Sequence, residues 1–442
     1  MNLNDGNRHL TSRGKGSSRS SEEYVSEYFD ATSIVDRQPT TEVQAFSDEE
    51  AAQYGFKRSP RKTSQNNSGK FSKKKHFKIR VLAGTLAGLL GILAGVIFFA
   101  MWYTDHMLDN IVYETRDADA VITIVNEDGN TVVLSDVTQP TRFGLAEDEP
   151  VKNFLLIGID SREKNYNSSG TGDRSDVICI MSVDSRQGSI KLLSIQRDSY
   201  AYFPGYTKPH KINAAMSYGG PDLLQATIEN CLRIKIDGYA YVNFSNMAKI
   251  IDAVGGVYVD MTYDELNVAN NYVKEMDPNA ALISNTGNAV WLNGVQGVAY
   301  ARNRYSGNGD YERMERQIEV LRSIMQQYMS LSATKKLACT DEILSCIVTN
   351  VDKNDIKKYA VDFLPSMKKA EMQYLQLVID SCYNCGIYGG EWSMRCNWNA
   401  YVPYVQKYFY GKTSDFDEVS VPPYAPDLDK CNTDIPLDQL IH

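Results

Sequence analysis

NFLLIGIDSR, residues 153–162, is an apolar run that stops on an aspartate and an arginine. A run this short and this continuous reads as a strand covered on both faces rather than as a helix. DVICIMSV (176–183) and IKLLSI (190–195) behave in the same way, and YAYVNF (239–244) supplies a fourth strand. Helical signals separate and follow them. Pro221 to Leu232 begins with a proline after Gly219 and Gly220, the preferred place for proline in a helix. Ser245 to Val254 is closed by Gly255-Gly256, a helix-stop signal. A third helix is expected from Asp310, its N-cap, to about Met329. Strands alternating with helices predict an α/β layered fold with helices on both faces of the sheet. Asp355 to Ala360 and Tyr374 to Ile379 continue the domain, and VITIV (121–125) and TVVLS (131–135) flank an Asp128-Gly129 turn, predicting a hairpin.

In α/β sheets, ligands bind beyond the carboxyl ends of the strands, and the polar residues of this sequence collect there. Asp160 and Arg162 follow the first run, Arg197 and Asp198 follow the third, and Arg174 and Asp176 stand at the start of the second. Arg302 and Arg304 share one face of an extended segment. Arg313, Arg316 and Gln317 share one side of the third helix, beside a stripe of Met314, Ile318, Leu321 and Met325. Each group alone has an ordinary reading as a solvated or paired surface. Together they predict a concentrated anion, because guanidinium is a planar fork that fits phosphate oxygens in pairs. The simplest such ligand is a pyrophosphate. Asp160 and Asp176 either hold a divalent cation, which typically takes one or two carboxylates plus phosphate oxygens, or merely neutralise the arginines. Spacing leaves both readings open.

Charge and hydropathy place the domain. The chain has 442 residues and a net charge of −9, with 43% hydrophobic residues. Residues 1–80 carry a net +5, leaving −14 for the remainder. A nucleic-acid binder concentrates basic charge on its folded domain, so nucleic acid is not an expected partner. Residues 1–80 have the composition of a disordered tail. Val81 to Tyr103 is an uncharged run of 23 residues, long enough to span a bilayer. The preceding residues 57–80 hold ten Lys/Arg and no acid. The positive-inside rule then puts the N-terminus in the cytoplasm and the rest outside. Gly84, Gly88, Gly91 and Gly95 lie along one face of that span and are a candidate homodimer contact. The expected plan is a cytoplasmic tail (1–80), a single span (81–103), a juxtamembrane segment (104–150), the main domain (151–411) and a poorly ordered C-terminal tail (412–442). All eight cysteines lie beyond the span, where oxidation is possible. Cys179 reads as a packed thiol. A disulfide is expected in the cluster of Cys382, Cys385 and Cys396, with zinc as the weaker alternative.

The quoted residues resemble the LytR–CpsA–Psr family of membrane-anchored cell-wall enzymes. The resemblance runs from about Asn153 to Gly411. It is carried by GIDSR (158–162), DRSDV (173–177), SIQRDS (194–199), HKINAAMSYGG (210–220), VNFSNMAKIIDAVGGVYV (242–259), LNGVQGVAYARNR (292–304) and DYERMERQ (310–317). It implies an α-β-α sandwich with a mixed central sheet and an apolar lipid pocket, behind one transmembrane helix at the cell membrane. It also implies a phosphotransferase that moves a glycopolymer from a polyprenyl-pyrophosphate carrier to peptidoglycan through a phosphodiester, as in teichoic acid or capsule attachment. Carried over, Asp160 and Asp176 hold Mg2+ (or Mn2+), and Arg162, Arg174, Arg197, Lys211, Arg302, Arg304, Arg313 and Gln317 bind the pyrophosphate. Arg316 and Asn213 support them. Arg197 and Asp198 are the catalytic candidates, Asp198 as base or as the residue that orients Arg197. The sequence departs from the family pattern at Gln196, where a proline is usual, and at Val177 and Ser199, each in place of a threonine. The alternatives are an envelope regulator, since family members carry the label of transcriptional attenuator, and a pyrophosphatase with water as acceptor.

Overall fold

A computed structural model describes residues 102–114, 121–137, 142–161, 173–306, 310–363 and 372–441. The basic stretch 57–80 lies outside them, as do Arg162 and the uncharged run 81–103 apart from Trp102 and Tyr103. Among the described residues no helix is long and apolar enough to cross a membrane.

The centre is a seven-stranded sheet: β1 (Val112–Tyr113), β2 (Val151–Ile159), β3 (Ser175–Asp184), β4 (Ser189–Ser194), β5 (Gly238–Asn243), β6 (Val348–Thr349) and β7 (Met372–Gln376), in the spatial order β1-β6-β5-β2-β3-β4-β7. The sheet is mixed. β1/β6, β2/β5 and β4/β7 are parallel, and the other neighbours are antiparallel. The four strands predicted from the apolar runs are the four adjacent central ones. The main helices are α1 (Ala214–Leu232), α2 (Phe244–Ala253), α3 (Tyr263–Met276), α4 (Gly294–Ala301), α5 (Asp310–Ser330), α6 (Ala333–Ser345), α7 (Lys353–Phe363) and α8 (Trp398–Tyr410).

The apolar runs explain the layering. Leu155, Ile157 and Ile159 of β2 are buried in one core with Leu223, Ile228, Tyr401 and Val405 of α1 and α8. On the other face, Cys179, Ile190 and Leu192 pack with Ile318 of α5 and Tyr374 of β7. β2 departs from the expectation of full coverage: its residues alternate between buried and half-buried, because Leu156 and Gly158 line a cavity. A second core under α2, α4 and α6 holds Ile251, Val257, Leu292 and Tyr300. Burying each such side chain contributes about 1.5–3 kcal/mol.

Two glycines have identifiable reasons. A Cβ on Gly219 would lie 2.7 Å from Leu223 and 2.9 Å from Ile124, so its absence lets the hairpin Thr123–Val125/Thr131–Val133 pack closely on the helix. The helix kinks at Gly219 and Gly220, and the segment predicted from Pro221 is its second part. A Cβ on Gly158 would meet Val177 at 2.9 Å, beside the bulge that displaces β2 against β3 at Gly158/Ile159.

Two expectations need correction. Residues 412–441 are not a loose extension. Val419 is buried, and its backbone N–H and carbonyl bond Asn399 at 2.7 and 2.9 Å. Arg233 donates to the carbonyls of Asp417 and Glu418, both at 3.1 Å. An acidic, proline-containing composition hid this: the stretch is held through backbone carbonyls and through scattered apolar residues, Phe416, Val419, Ile435, Leu437 and Leu440, packed on the main core. The expected disulfide is also not formed: all eight cysteines carry free thiols. In the hairpin Tyr383–Tyr388/Glu391–Cys396, Cys396 stands opposite Tyr383 and Cys385 opposite Met394, so these two cysteines are not facing neighbours.

Candidate active site

A cavity of about 1030 Å³ opens between the central strands and helices α2, α4, α5 and α6. Its inner wall is apolar, with Leu156, Val177, Val242, Ile250, Ile324 and Ile347 among its lining. Its polar end carries Asp160, Arg174, Asp176, Arg197, Asp198 and Lys211 from the strand ends. Arg302, Arg304, Arg313 and Gln317 join them from the helices. Every site residue expected from the sequence lines this one cavity except Arg162, which is outside the described residues, and Arg316.

The strand-end groups form a linked set. Arg197 pairs with Asp176 through one guanidinium nitrogen and with Asp198 at 3.3 Å through another. Lys211 reaches the second oxygen of Asp198 at 3.0 Å. It is delivered there by the ribbon Tyr200–Tyr202/Pro209–Lys211, in which Tyr200 stands opposite Lys211. Both oxygens of Asp198 therefore face cations, and the carboxylate ties Arg197 to Lys211. The turn is closed by Ser199 N–H donating to the Gln196 carbonyl at 3.0 Å. Both side-chain polar atoms of Gln196 are buried without a hydrogen-bond partner, whereas the proline usual here carries neither. Val177, in place of a threonine, is part of the apolar wall.

The helix-borne arginines are held by different means. Arg302 caps the C-terminus of α4, where free carbonyls favour a cation. Its guanidinium lies 4.5 Å from the Phe244 ring centre and 4.9 Å from that of Tyr272, with Glu275 at 3.5 Å. Such rings hold a cation and fix its plane. Arg304 is exposed and bonds the Tyr305 hydroxyl at 2.8 Å. Arg313 is buried, and Gln317 follows one turn along α5.

Arg316 is a brace. It is 3% exposed and donates to Glu265 at 2.7 Å, to the Asn303 carbonyl at 2.8 Å, to the Ser306 hydroxyl at 2.9 Å and to Glu312 at 2.8 Å. It ties the Arg302–Ser306 segment to α3 and α5. Burial alone would raise the Glu265 carboxyl, but hydrogen bonds from Arg316 and Thr262 outweigh it and hold the group below its ordinary range.

Asp173, Phe244, Tyr272 and Glu275 also line the cavity and were not singled out from the sequence. Tyr272 and Glu275 ride on α3, whose start is marked by a Thr262/Glu265 capping box, a legible signal. Cys179 lies in the wall, and burial pushes its thiol up to about 12, so it is no nucleophile.

Metal chemistry can be tested against the donor set. Among the described residues no group of three or more His, Cys, Asp or Glu is gathered for a metal. Asp160 and Asp176 stand on paired strand ends, however, and both line the cavity. Two carboxylates fit magnesium when phosphate oxygens and water complete its shell. Charge agrees: among the described residues six cations and five carboxylates line the cavity, a formal sum of +1, less than the charge of a pyrophosphate diester.

The LytR_cpsA_psr family model matches residues 118–396. The polyisoprenyl-teichoic acid–peptidoglycan teichoic acid transferase TagU of Enterococcus faecalis is 32% identical over 244 residues, covering 54% of this chain and 74% of TagU. The regulatory protein MsrR of Staphylococcus aureus is 32% identical over 220 residues, covering 48% of this chain and 62% of MsrR. Among solved structures, protein gbs0355 of Streptococcus agalactiae shares the fold with a TM-score of 0.53 at 22% identity, over 62% of this chain and 93% of that one. With the family model matched over more than half of the sequence, the chain belongs to the LytR_cpsA_psr family.

Proposed function

We propose that the protein is a membrane-anchored phosphotransferase that moves a glycopolymer from a polyprenyl-pyrophosphate carrier to peptidoglycan. The observation that carries this reading is the two-part cavity of about 1030 Å³: a guanidinium-rich end continuous with an apolar interior. A prenyl pyrophosphate has the same two parts. The name of TagU, a transferase acting from a polyisoprenyl-linked teichoic acid to peptidoglycan, supports it. The uncharged run 81–103 behind a basic flank supports an anchor with the domain outside the cell.

The acceptor hydroxyl oxygen attacks the phosphorus that carries the glycopolymer. A new phosphodiester bond forms, the bridging P–O bond breaks, and prenyl monophosphate leaves as the hydroxyl proton is released. Phosphoryl transfer needs positioning and charge stabilisation more than covalent help. Arg197, Lys211, Arg302 and Arg313 supply donors fixed before the substrate arrives. Asp198 positions two of them. Asp160 and Asp176 would hold magnesium, which when bound supplies further neutralisation of the phosphates. The apolar wall takes the prenyl chain.

The test is transfer of a labelled glycopolymer from its prenyl-pyrophosphate form to peptidoglycan, with and without a chelator. Wild type should form the linkage and Arg197→Ala should not, while melting like wild type. Undiminished transfer by Arg197→Ala would sink the assignment. The name of MsrR favours a regulatory reading. That reading expects no transferred product, and release of free glycopolymer phosphate would mark a pyrophosphatase.

A further inference from the structure

A second groove, of about 560 Å³, lies away from the cavity, between the hairpin Tyr383–Tyr388/Glu391–Cys396 and the C-terminal stretch. Tyr383, Tyr388 and Tyr424 supply its aromatic wall, and Asn384, Asp427 and Lys430 its polar rim. Half of it, Tyr424 to Lys430, lies beyond the residues matched by the family model.

Tyr424 is presented at a backbone cost. Its φ is +69°, a region that bulky residues avoid, yet its side chain is 67% exposed. The conformation is held by Asn384, whose amide donates to the Tyr424 carbonyl at 2.7 Å, and by Asn397, which donates to the Pro426 carbonyl at 2.9 Å. Strain kept in order to expose a ring points to use of that ring. The Tyr424 ring stacks on Tyr388 at 4.9 Å and 18°. Arg395 lies 5.1 Å from the Tyr388 ring centre and 3.4 Å from that of Tyr200. The Met394 N–H, on the same strand, donates to the Asp198 carbonyl at 3.1 Å. A continuous stack therefore joins the groove to the turn that carries Arg197 and Asp198.

The rim chemistry selects the ligand. Lys430 is paired with Asp427, so no unbalanced cation invites a phosphate. An aromatic wall with amide, carboxylate and ammonium groups at its edge matches a pyranose, which has an apolar C–H face and a ring of hydroxyls. We propose that the groove walled by Tyr388 and Tyr424 binds an uncharged saccharide segment, namely the glycan strand of the acceptor. The identity of the strand rests on the transferase reading, whereas saccharide binding itself does not.

The experiment titrates a β-1,4-linked N-acetylglucosamine tetrasaccharide, an uncharged probe with the backbone linkage of that strand, into the purified full chain in detergent, by calorimetry. Tyr424→Ala and Tyr388→Ala are compared with Tyr388→Phe, which keeps the stack, and with Tyr263→Ala, an exposed tyrosine on α3. The expected result is a loss of tenfold or more in affinity for both groove alanine variants, with Tyr388→Phe and Tyr263→Ala binding like wild type. Retained affinity in Tyr424→Ala and Tyr388→Ala, or equal loss in Tyr263→Ala, would overturn the proposal. The readout is binding, so failure of the transfer assay leaves it standing, and a working transfer assay with unchanged affinities refutes the groove alone.

Discussion

Replacing Arg316 by methionine should both destabilise the domain and disarm the arginine segment beside it. Methionine keeps the stem's volume but removes donors to Glu265, Glu312, the Asn303 carbonyl and the Ser306 hydroxyl. Removing one partner of a buried pair costs about 3–5 kcal/mol, because the other charge is left stranded. Glu265 is the stranded group, with its side chain 14% exposed. At about 2–4 °C per kcal/mol for a domain of this size, the melting temperature should fall by roughly 6–20 °C. The Arg302–Ser306 segment then loses its tie to α5, so transfer measured well below the new melting point should fall about tenfold, a loss of ~1.4 kcal/mol in the transition state. Adding Glu265→Gln keeps the capping partner of Thr262 and removes the stranded charge, so stability should recover by about 1–2 kcal/mol while transfer stays low. Melting curves and a transfer assay on the two variants decide the matter. A single variant that melts within about 2 °C of wild type, as a surface change would, refutes the brace. So does a single variant with full activity.

Arg302→Lys should keep the fold and lower transfer at least tenfold, since an ammonium cannot lie flat between Phe244 and Tyr272 or bond phosphate as a fork; steady-state kinetics checks it. Leu321→Trp, placing an indole in the cavity wall, should displace the prenyl chain and reduce bound lipid severalfold, with a melting shift of a few degrees, read by lipid extraction and calorimetry. Burial pushes the Glu229 carboxyl up to about 7. Its raised value means a stability contribution that is full below about pH 4.5 and lost as pH rises through 7. The loss is on the order of 3 kcal/mol at ~1.4 kcal/mol per pH unit, and Glu229→Gln should flatten that part of the stability–pH curve.

The central strands were legible because each is a short apolar run, and two of them, β2 and β4, lead directly into charged residues of the site. Arg197 was legible for the same reason, and the helix-borne arginines through their spacing. α3 was less legible, because of the face formed by Leu266, Ala269, Val273 and Met276 only Ala269 and Val273 are fully buried. With α3 went Tyr272 and Glu275, and hence the means by which Arg302 is held. Arg316 shares a helical side with Arg313 and Gln317, so spacing could not show that it turns inward to Glu265 and away from the cavity. The apolar residues of the C-terminal stretch follow no period, and its attachment depends also on Asn399 and Arg233, far away in sequence.

The most direct measurement is mass spectrometry of the lipid that co-purifies with the full chain from membranes in mild detergent. A prenyl phosphate or pyrophosphate should be found in wild type, lost in Leu321→Trp, and strongly reduced in Arg197→Ala. Membrane phospholipids alone in all three proteins would contradict a cavity built for a prenyl chain with a pyrophosphate head.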